Sequence, residues 1–268
     1  MKPAIGVCGS SLLALVLAAC ATTSTTPTGQ AAFVSPEEAR LVGLARDIES
    51  RGESGTALAL YERAAEIAKE SPAAQARLGE ARLKVGDADG AAEAFEAALV
   101  RDQSFAPALL GLGTVKLNRG ETAEAVRRLS VAAPQVKTAT AYNRLGTALT
   151  LDGRPSEAKA AYATARQLDP QNIDIAANTA LAEALSGEFE PAVQRMRAVA
   201  QSPLAKPRHH RNLIVVLTLA GRDAEATAVS APDMNTRQKA AFVAQAKKLG
   251  AIVHLGERAR AIGLMASG

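Results

Sequence analysis

Residues 142–170 read YNRLGTALTLDGRPSEAKAAYATARQLDP. Two runs of helical length and composition flank Asp152-Gly153, and a proline closes the second. A lone glycine between such runs marks a turn, and a proline just beyond a run stops a helix. This unit recurs. Gly52, Gly86, Gly120, Gly153, Gly187 and Gly221 follow one another at spacings of 34, 34, 33, 34 and 34 residues. Five residues after each glycine comes an alanine: Ala57, Ala91, Ala125, Ala158, Ala192 and Ala226. Four residues further lie Tyr61, Phe95, Leu129, Tyr162 and Met196, and then Ser230. Seven residues before the glycines stand Ala45, Gly79, Gly113, Gly146 and Ala180, with Ile214 the exception.

The pairs Leu78-Gly79, Leu112-Gly113 and Leu145-Gly146, with the 34-residue period, resemble the tetratricopeptide repeat. The resemblance implies an all-α superhelical solenoid of about six helix-turn-helix repeats, with a concave face lined by the first helix of each. Each recurring residue has a physical reason. The glycine supplies a left-handed backbone at the turn without Cβ strain. Acidic residues after it, as in Gly86-Asp87, Gly120-Glu121 and Gly187-Glu188, favour a helix start. Small residues fall where two helices touch, and the large apolar one fills the wedge between repeats. Pro72, Pro107, Pro170, Pro203 and Pro207 punctuate the joins. The repeats are expected from about Glu38 to Ala240. The spacing of 33 predicts a shortened join around Ala133-Pro134-Gln135. In repeat six, Ser230 and Pro232 predict a truncated second helix. Thr236–Leu249 is expected as a capping helix, and a second short helix is expected over Gly256–Leu264.

Composition agrees with an all-α chain. Of 268 residues 48% are hydrophobic but only 3% aromatic, and 60 are alanine. Alanine has the highest helix propensity and buries little area, a poor basis for a β-sandwich or barrel. Charge is too low and apolar content too high for a disordered chain. Net charge of +4 is too weak a bias to imply nucleic acid. The excess is C-terminal: residues 234–268 hold Arg237, Lys239, Lys247, Lys248, Arg258 and Arg260 against Glu257. That segment is a plain solvated cap or a dock for an acidic protein or anionic lipid.

At the N-terminus one lysine precedes an uncharged run that ends Leu17-Ala18-Ala19-Cys20. The run is short for a membrane span. It resembles the lipobox of bacterial lipoproteins, which implies removal of residues 1–19, loss of Cys8 and lipid on Cys20. The resemblance implies three acyl chains, enough for stable anchoring where one chain is marginal. Ala21 in place of an aspartate inclines the destination to the outer membrane. Residues 20–36 then form a Thr/Ser-rich tether reaching about 20 Å. Residues 37–240 form the solenoid, and 241–268 the cap and basic tail.

No catalytic or metal motif is found. His209, His210 and His254 have no carboxylate or cysteine at ligand spacing, and neither a nucleophile elbow nor a phosphate loop occurs. Gly111-Leu112-Gly113 lies inside a first helix, where it reads as packing. The chain is expected to be no enzyme and to need no cofactor or small-molecule substrate. A partner-binding groove is expected over repeats four to six, using Asn143, Asn178, Arg208, Arg211 and Asn212. Asparagine can grip a peptide backbone, and arginine can fork onto a carboxylate. The register does not reproduce the Lys and Asn set of chaperone-type clamps.

The stretches Tyr142–Gly153, Gln167–Pro170, Ala184–Gly187 and Arg211–Gly221, with the lipobox, tether and short cap, resemble TadD-type lipoproteins of Flp (tight adherence) pilus assembly. That resemblance implies an outer-membrane-anchored periplasmic scaffold, without catalysis, that binds protein partners and helps assemble or localise a secretin or pilus machine. An adaptor for another envelope assembly fits the same residues: outer-membrane protein insertion, type IV pilus secretin piloting, or peptidoglycan-linked machinery.

Overall fold

The computed structural model describes residues 35–267, with side chains through residue 263. Cys20, the segment before it and nearly all of the tether lie outside the described residues.

Described residues form 14 helices and no strand. Six antiparallel pairs come first: α1 (Pro36–Ser50) with α2 (Ser54–Ile67), α3 (Pro72–Lys84) with α4 (Ala88–Arg101), and α5 (Ala106–Asn118) with α6 (Thr122–Val136). Then come α7 (Ala139–Leu151) with α8 (Pro155–Leu168), α9 (Ile173–Leu185) with α10 (Phe189–Gln201), and α11 (Pro207–Leu219) with α12 (Asp223–Ala228). Two further helices follow, α13 (Thr236–Leu249) and α14 (Leu255–Ser267). None of these is long and apolar enough to cross a membrane.

The helices start and stop where local chemistry requires. Side chains of Ser35, Ser71, Asp87, Thr138, Asn172 and Asn235 accept the backbone N–H three residues on, satisfying orphan donors of the first turn. All six turn glycines have φ between +74° and +87°, where a Cβ is strained.

Between the helices of a pair, one large side chain sits on one missing side chain. Phe95 of α4 is fully buried between Gly79 of α3 and Gly111 of α5. A Cβ added at Gly79 would lie 2.7 Å from the ring, and one at Gly111 only 2.2 Å. Held on both sides, the ring cannot swing away. Leu129 sits likewise on Gly113, and Tyr162 on Gly146. Repeat six inverts the arrangement. Its second helix ends at Ala228, Ser230 is exposed, and the fully buried Ile214 supplies from the first helix the volume that others receive from the second. α13 then packs on α11, bringing Phe242, Val243, Ala246 and Leu249 into the same apolar cluster as Leu213 and Leu217.

Two local expectations are corrected. The short join after α6 is Lys137-Thr138, not Ala133–Gln135, because α6 continues through Pro134 to Val136. Proline so near the helix end forfeits only one late hydrogen bond, and the Gln135 side chain donates to the Val131 carbonyl (3.2 Å). Lys137 closes the helix in the left-handed region (φ 53°). The last helix is longer than Gly256–Leu264 and folds back against α7 and α11.

Phe95→Ala is expected to cost about 3–5 kcal/mol, read as urea unfolding by far-UV circular dichroism. Gly111→Ala should also destabilise, and most of that cost should vanish in the Phe95→Ala background. An equal cost in both backgrounds would contradict the seating of Phe95 on Gly111.

Candidate protein-interaction surface

First helices of successive pairs touch one another, α3 with α5, α5 with α7, α7 with α9 and α9 with α11. Second helices do not approach each other comparably, so the first helices form the inner, concave row. Residues on that face recur nine, six and two positions before each turn glycine. Nine before stand Gly43, Arg77, Gly111, Arg144, Asn178 and Asn212. Six before, the series runs Arg46, Glu80, Thr114 and Thr147, then Leu181 and Val215. Two before, it runs Ser50, Lys84 and Asn118, then Leu151, Leu185 and Leu219. The row changes from polar to apolar along the chain.

The polar stretch is open. A pocket of about 460 Å³ spans repeats two to four, lined by Glu80 and Lys84 of α3, Thr114 and Asn118 of α5, and Arg144 of α7. Gly111 and Phe95 also line it. Volume and lining suit a short polypeptide segment. Glu80 keeps an exposed surface, yet the surrounding walls crowd out water. Desolvation therefore pushes its carboxyl up, against the pull of Lys84 and Arg77. Burial likewise lowers the half-buried Arg144, opposed by the charge of Glu80. Among the described residues no carboxylate comes within ion-pair distance of Arg144.

Of the residues singled out from sequence, Asn178 and Asn212 stand on this row and Asn143, Arg208 and Arg211 at other positions of the same helices, and most are engaged within the chain. Asn178 Nδ2 donates to Asn143 Oδ1 (3.0 Å), tying α9 to α7. Arg208 pairs with Asp174 (2.6 Å), and the largely buried Arg211 with Asp233 (3.1 Å). Asn212 is buried and its Oδ1 has no hydrogen-bond partner. Asn143 and Asn178 are brought together; the arginines act as intramolecular struts. Sequence reasoning missed Arg144, although the repeat register marks it. Arg144, not its neighbour Asn143, is the true counterpart of Asn178 and Asn212.

His209 belongs to the Arg208 strut. It is 1% exposed; its Nδ1 accepts the Lys206 N–H (3.1 Å), which leaves the ring proton on Nε2, facing Asp174 at 2.8 Å. Desolvation lowers the imidazole pKa, outweighing the hydrogen bond and charge of Asp174. Asp174 is itself held low: burial raises it, but the hydrogen bonds from Arg208 and His209 prevail. Among the described residues no cluster of three metal-ligating side chains occurs.

A lowered histidine pKa means that the unfolded chain binds the proton first. The stability His209 contributes is therefore complete above about pH 6.5 and declines as the pH falls below it. Asp174 loses its contribution only below about pH 4. Melting temperatures at pH 7.5 and 5.5 should converge more closely in His209→Gln than in the parent. An identical pH dependence would contradict the assignment.

Two family models, both described as tetratricopeptide repeat, match residues 82–149 and 139–172. No curated protein sequence matches the chain. Among solved structures, a tetratricopeptide repeat protein from Parabacteroides merdae superposes with a TM-score of 0.61 at 15% identity, covering 87% of this chain and 93% of that one. The pilF protein of Pseudomonas aeruginosa gives 0.59 at 21% identity, covering 72% and 89%. YrrB, described as a TPR protein with an unusual peptide-binding site, gives 0.56 at 20% identity, covering 70% and 97%. At these identities the likeness is one of fold. Sequence period, turn geometry and these matches agree that residues 82–172 carry tetratricopeptide repeats and that the described residues fold as a helix-turn-helix solenoid of that kind.

Proposed function

We propose that this chain is a non-catalytic, lipid-anchored periplasmic scaffold that receives an extended segment of a partner protein in the open groove over repeats two to four. Arg144 carries this reading: it is a half-buried guanidinium lining the pocket on the concave face, influenced by the charge of Glu80 but, among the described residues, with no carboxylate at ion-pair distance. A carboxylate on the incoming segment would restore the partner that burial denies it. Glu80 across the pocket would favour a basic or hydroxyl group in the same segment. The peptide-binding site ascribed to YrrB supports this use of the fold.

The Leu17–Cys20 lipobox supports an anchor in the outer membrane facing the periplasm. The TadD-like sequence supports a role in assembling or localising a secretin or pilus machine. Anchoring raises the effective concentration of a membrane-bound partner, so even weak groove binding suffices. The partner's identity separates a Flp/Tad machine from the other envelope assemblies that fit the same residues.

Cys20→Ser should move the protein from membranes to the soluble periplasmic fraction, and full membrane retention would contradict the anchor. Arg144→Glu should lower recovery of co-purifying partner by about tenfold, the loss of one charge-assisted contact. Its far-UV circular dichroism spectrum should match that of the parent, which separates lost binding from lost fold. Unchanged recovery would contradict the groove.

A further inference from the structure

The first turn of α11 is held by one imidazole. Pro207 has no N–H, and the Lys206 N–H is satisfied by Nδ1 of His209, three residues on (3.1 Å). A glutamine or glutamate oxygen at that position accepts the same bond at neutral and mildly acidic pH. Histidine accepts it only while Nδ1 carries no proton. The other ring nitrogen, Nε2, faces Asp174 of α9 (2.8 Å), whose Oδ1 also takes Arg208 (2.6 Å). One buried ring therefore closes the start of repeat six and joins it to repeat five.

The surroundings make a second ring proton hard to hold. Lys206 and Arg208 face the ring from its own turn, where the helix start is itself positive, and Asp174 faces it from α9. Further along α11, Arg211 is taken up by Asp233, just ahead of α13. From α10, α13 and α14 come apolar side chains of one shared cluster, among them Met196, Val243 and Ile262. Desolvation holds the ring's proton affinity below that of a free imidazole; Asp174 opposes this, while Arg208 and Lys206 add to it. Because α9, α10, α12, α13 and α14 all pack on α11, its first turn is a lever on this end of the stack.

We propose that His209 is an acid-operated latch at the seam of repeats five and six, in which a proton on Nδ1 expels the Lys206 N–H and frees the first turn of α11 from Asp174. Two donors then face each other where one bond was, and Lys206, Arg208 and the imidazolium share a single carboxylate. Opening the turn hydrates the imidazolium and relieves both conflicts. The latch works between about pH 6.5, where a hydrated imidazole takes its proton, and about pH 4, above which Asp174 stays ionised. It is a local event: the seam opens while repeats one to three stay closed. It lies apart from the Arg144 groove and does not depend on it.

Hydrogen exchange of the purified full chain, corrected for the intrinsic pH dependence of amide exchange, reads the latch directly. Amides of residues 206–212 should open more at pH 5.5 than at pH 7.5, by severalfold and by no more than about tenfold, the ceiling set by one pH unit below 6.5. Those of α5 should change little. The midpoint should coincide with titration of the His209 ring followed by NMR. His209→Gln keeps one donor and one acceptor on the side chain but cannot titrate, so its seam should stay closed at both pH values. His210→Gln should respond as the parent does. The proposal is overturned if the seam of the parent opens no further at pH 5.5, or if His209→Gln opens as the parent does. Loss of the response in His210→Gln would also overturn it. So would equal acceleration over all six repeats, because acid would then be loosening the whole stack. The exchange and ring titration of the parent decide the matter even where a variant folds poorly.

Discussion

A large side chain from the second helix of a repeat, seated on the glycine or alanine of the first, is the contact on which the structure depends. It sets how closely the two helices approach. Where the seat is doubled, as for Phe95 between Gly79 and Gly111, it also sets the approach of the next repeat. First helices are thereby drawn against one another, which makes them the inner row of a curved stack. Ion pairs one repeat apart, such as Arg101 with Glu70 and Lys84 with Glu49, decorate this arrangement. Surface pairs of that kind contribute little beside burial of an aromatic ring.

Curvature makes the inner row a concave surface, and the residues along it divide that surface in two. Over repeats two to four it is polar and open, and Gly111, already required by Phe95, also lines the pocket. One packing constraint thus serves both core and site. Over repeats four to six the row is apolar and α14 covers it. In the same region Asp174, Arg208 and His209 lock repeat five to repeat six, so this end of the stack is braced.

The fold was legible because its constraints are local and periodic. A turn needing positive φ selects glycine, a helix contact selects alanine, and both recur at the period that reveals them. The site was legible only in part. Asn143, Asn178, Arg208, Arg211 and Asn212 stand on first helices as expected, but residue type does not show that Asn143 and Asn178 bond to each other or that the two arginines pair with Asp174 and Asp233. The Arg208–Asp174 separation of 34 residues, one repeat, was a signal that the two could meet. Arg144, one residue after Asn143, holds the position in register with Asn178 and Asn212. The seat of α14 depends on contacts such as Arg260 with Thr122, 138 residues apart, which no periodicity encodes. The change from Glu80 and Thr114 to Leu181 and Val215 along one position was the available hint that something covers that face.

A photo-crosslinking scan in cells would test most directly whether the concave row is where this protein works. A photoreactive amino acid would be placed in turn at Thr114 and Asn118 on the open inner row, and at Arg127 and Gln194 on second helices. The account predicts crosslinks to the same partner from the inner positions and none from the outer ones. Capture of that partner from Arg127 or Gln194, with none from Thr114 or Asn118, would contradict it.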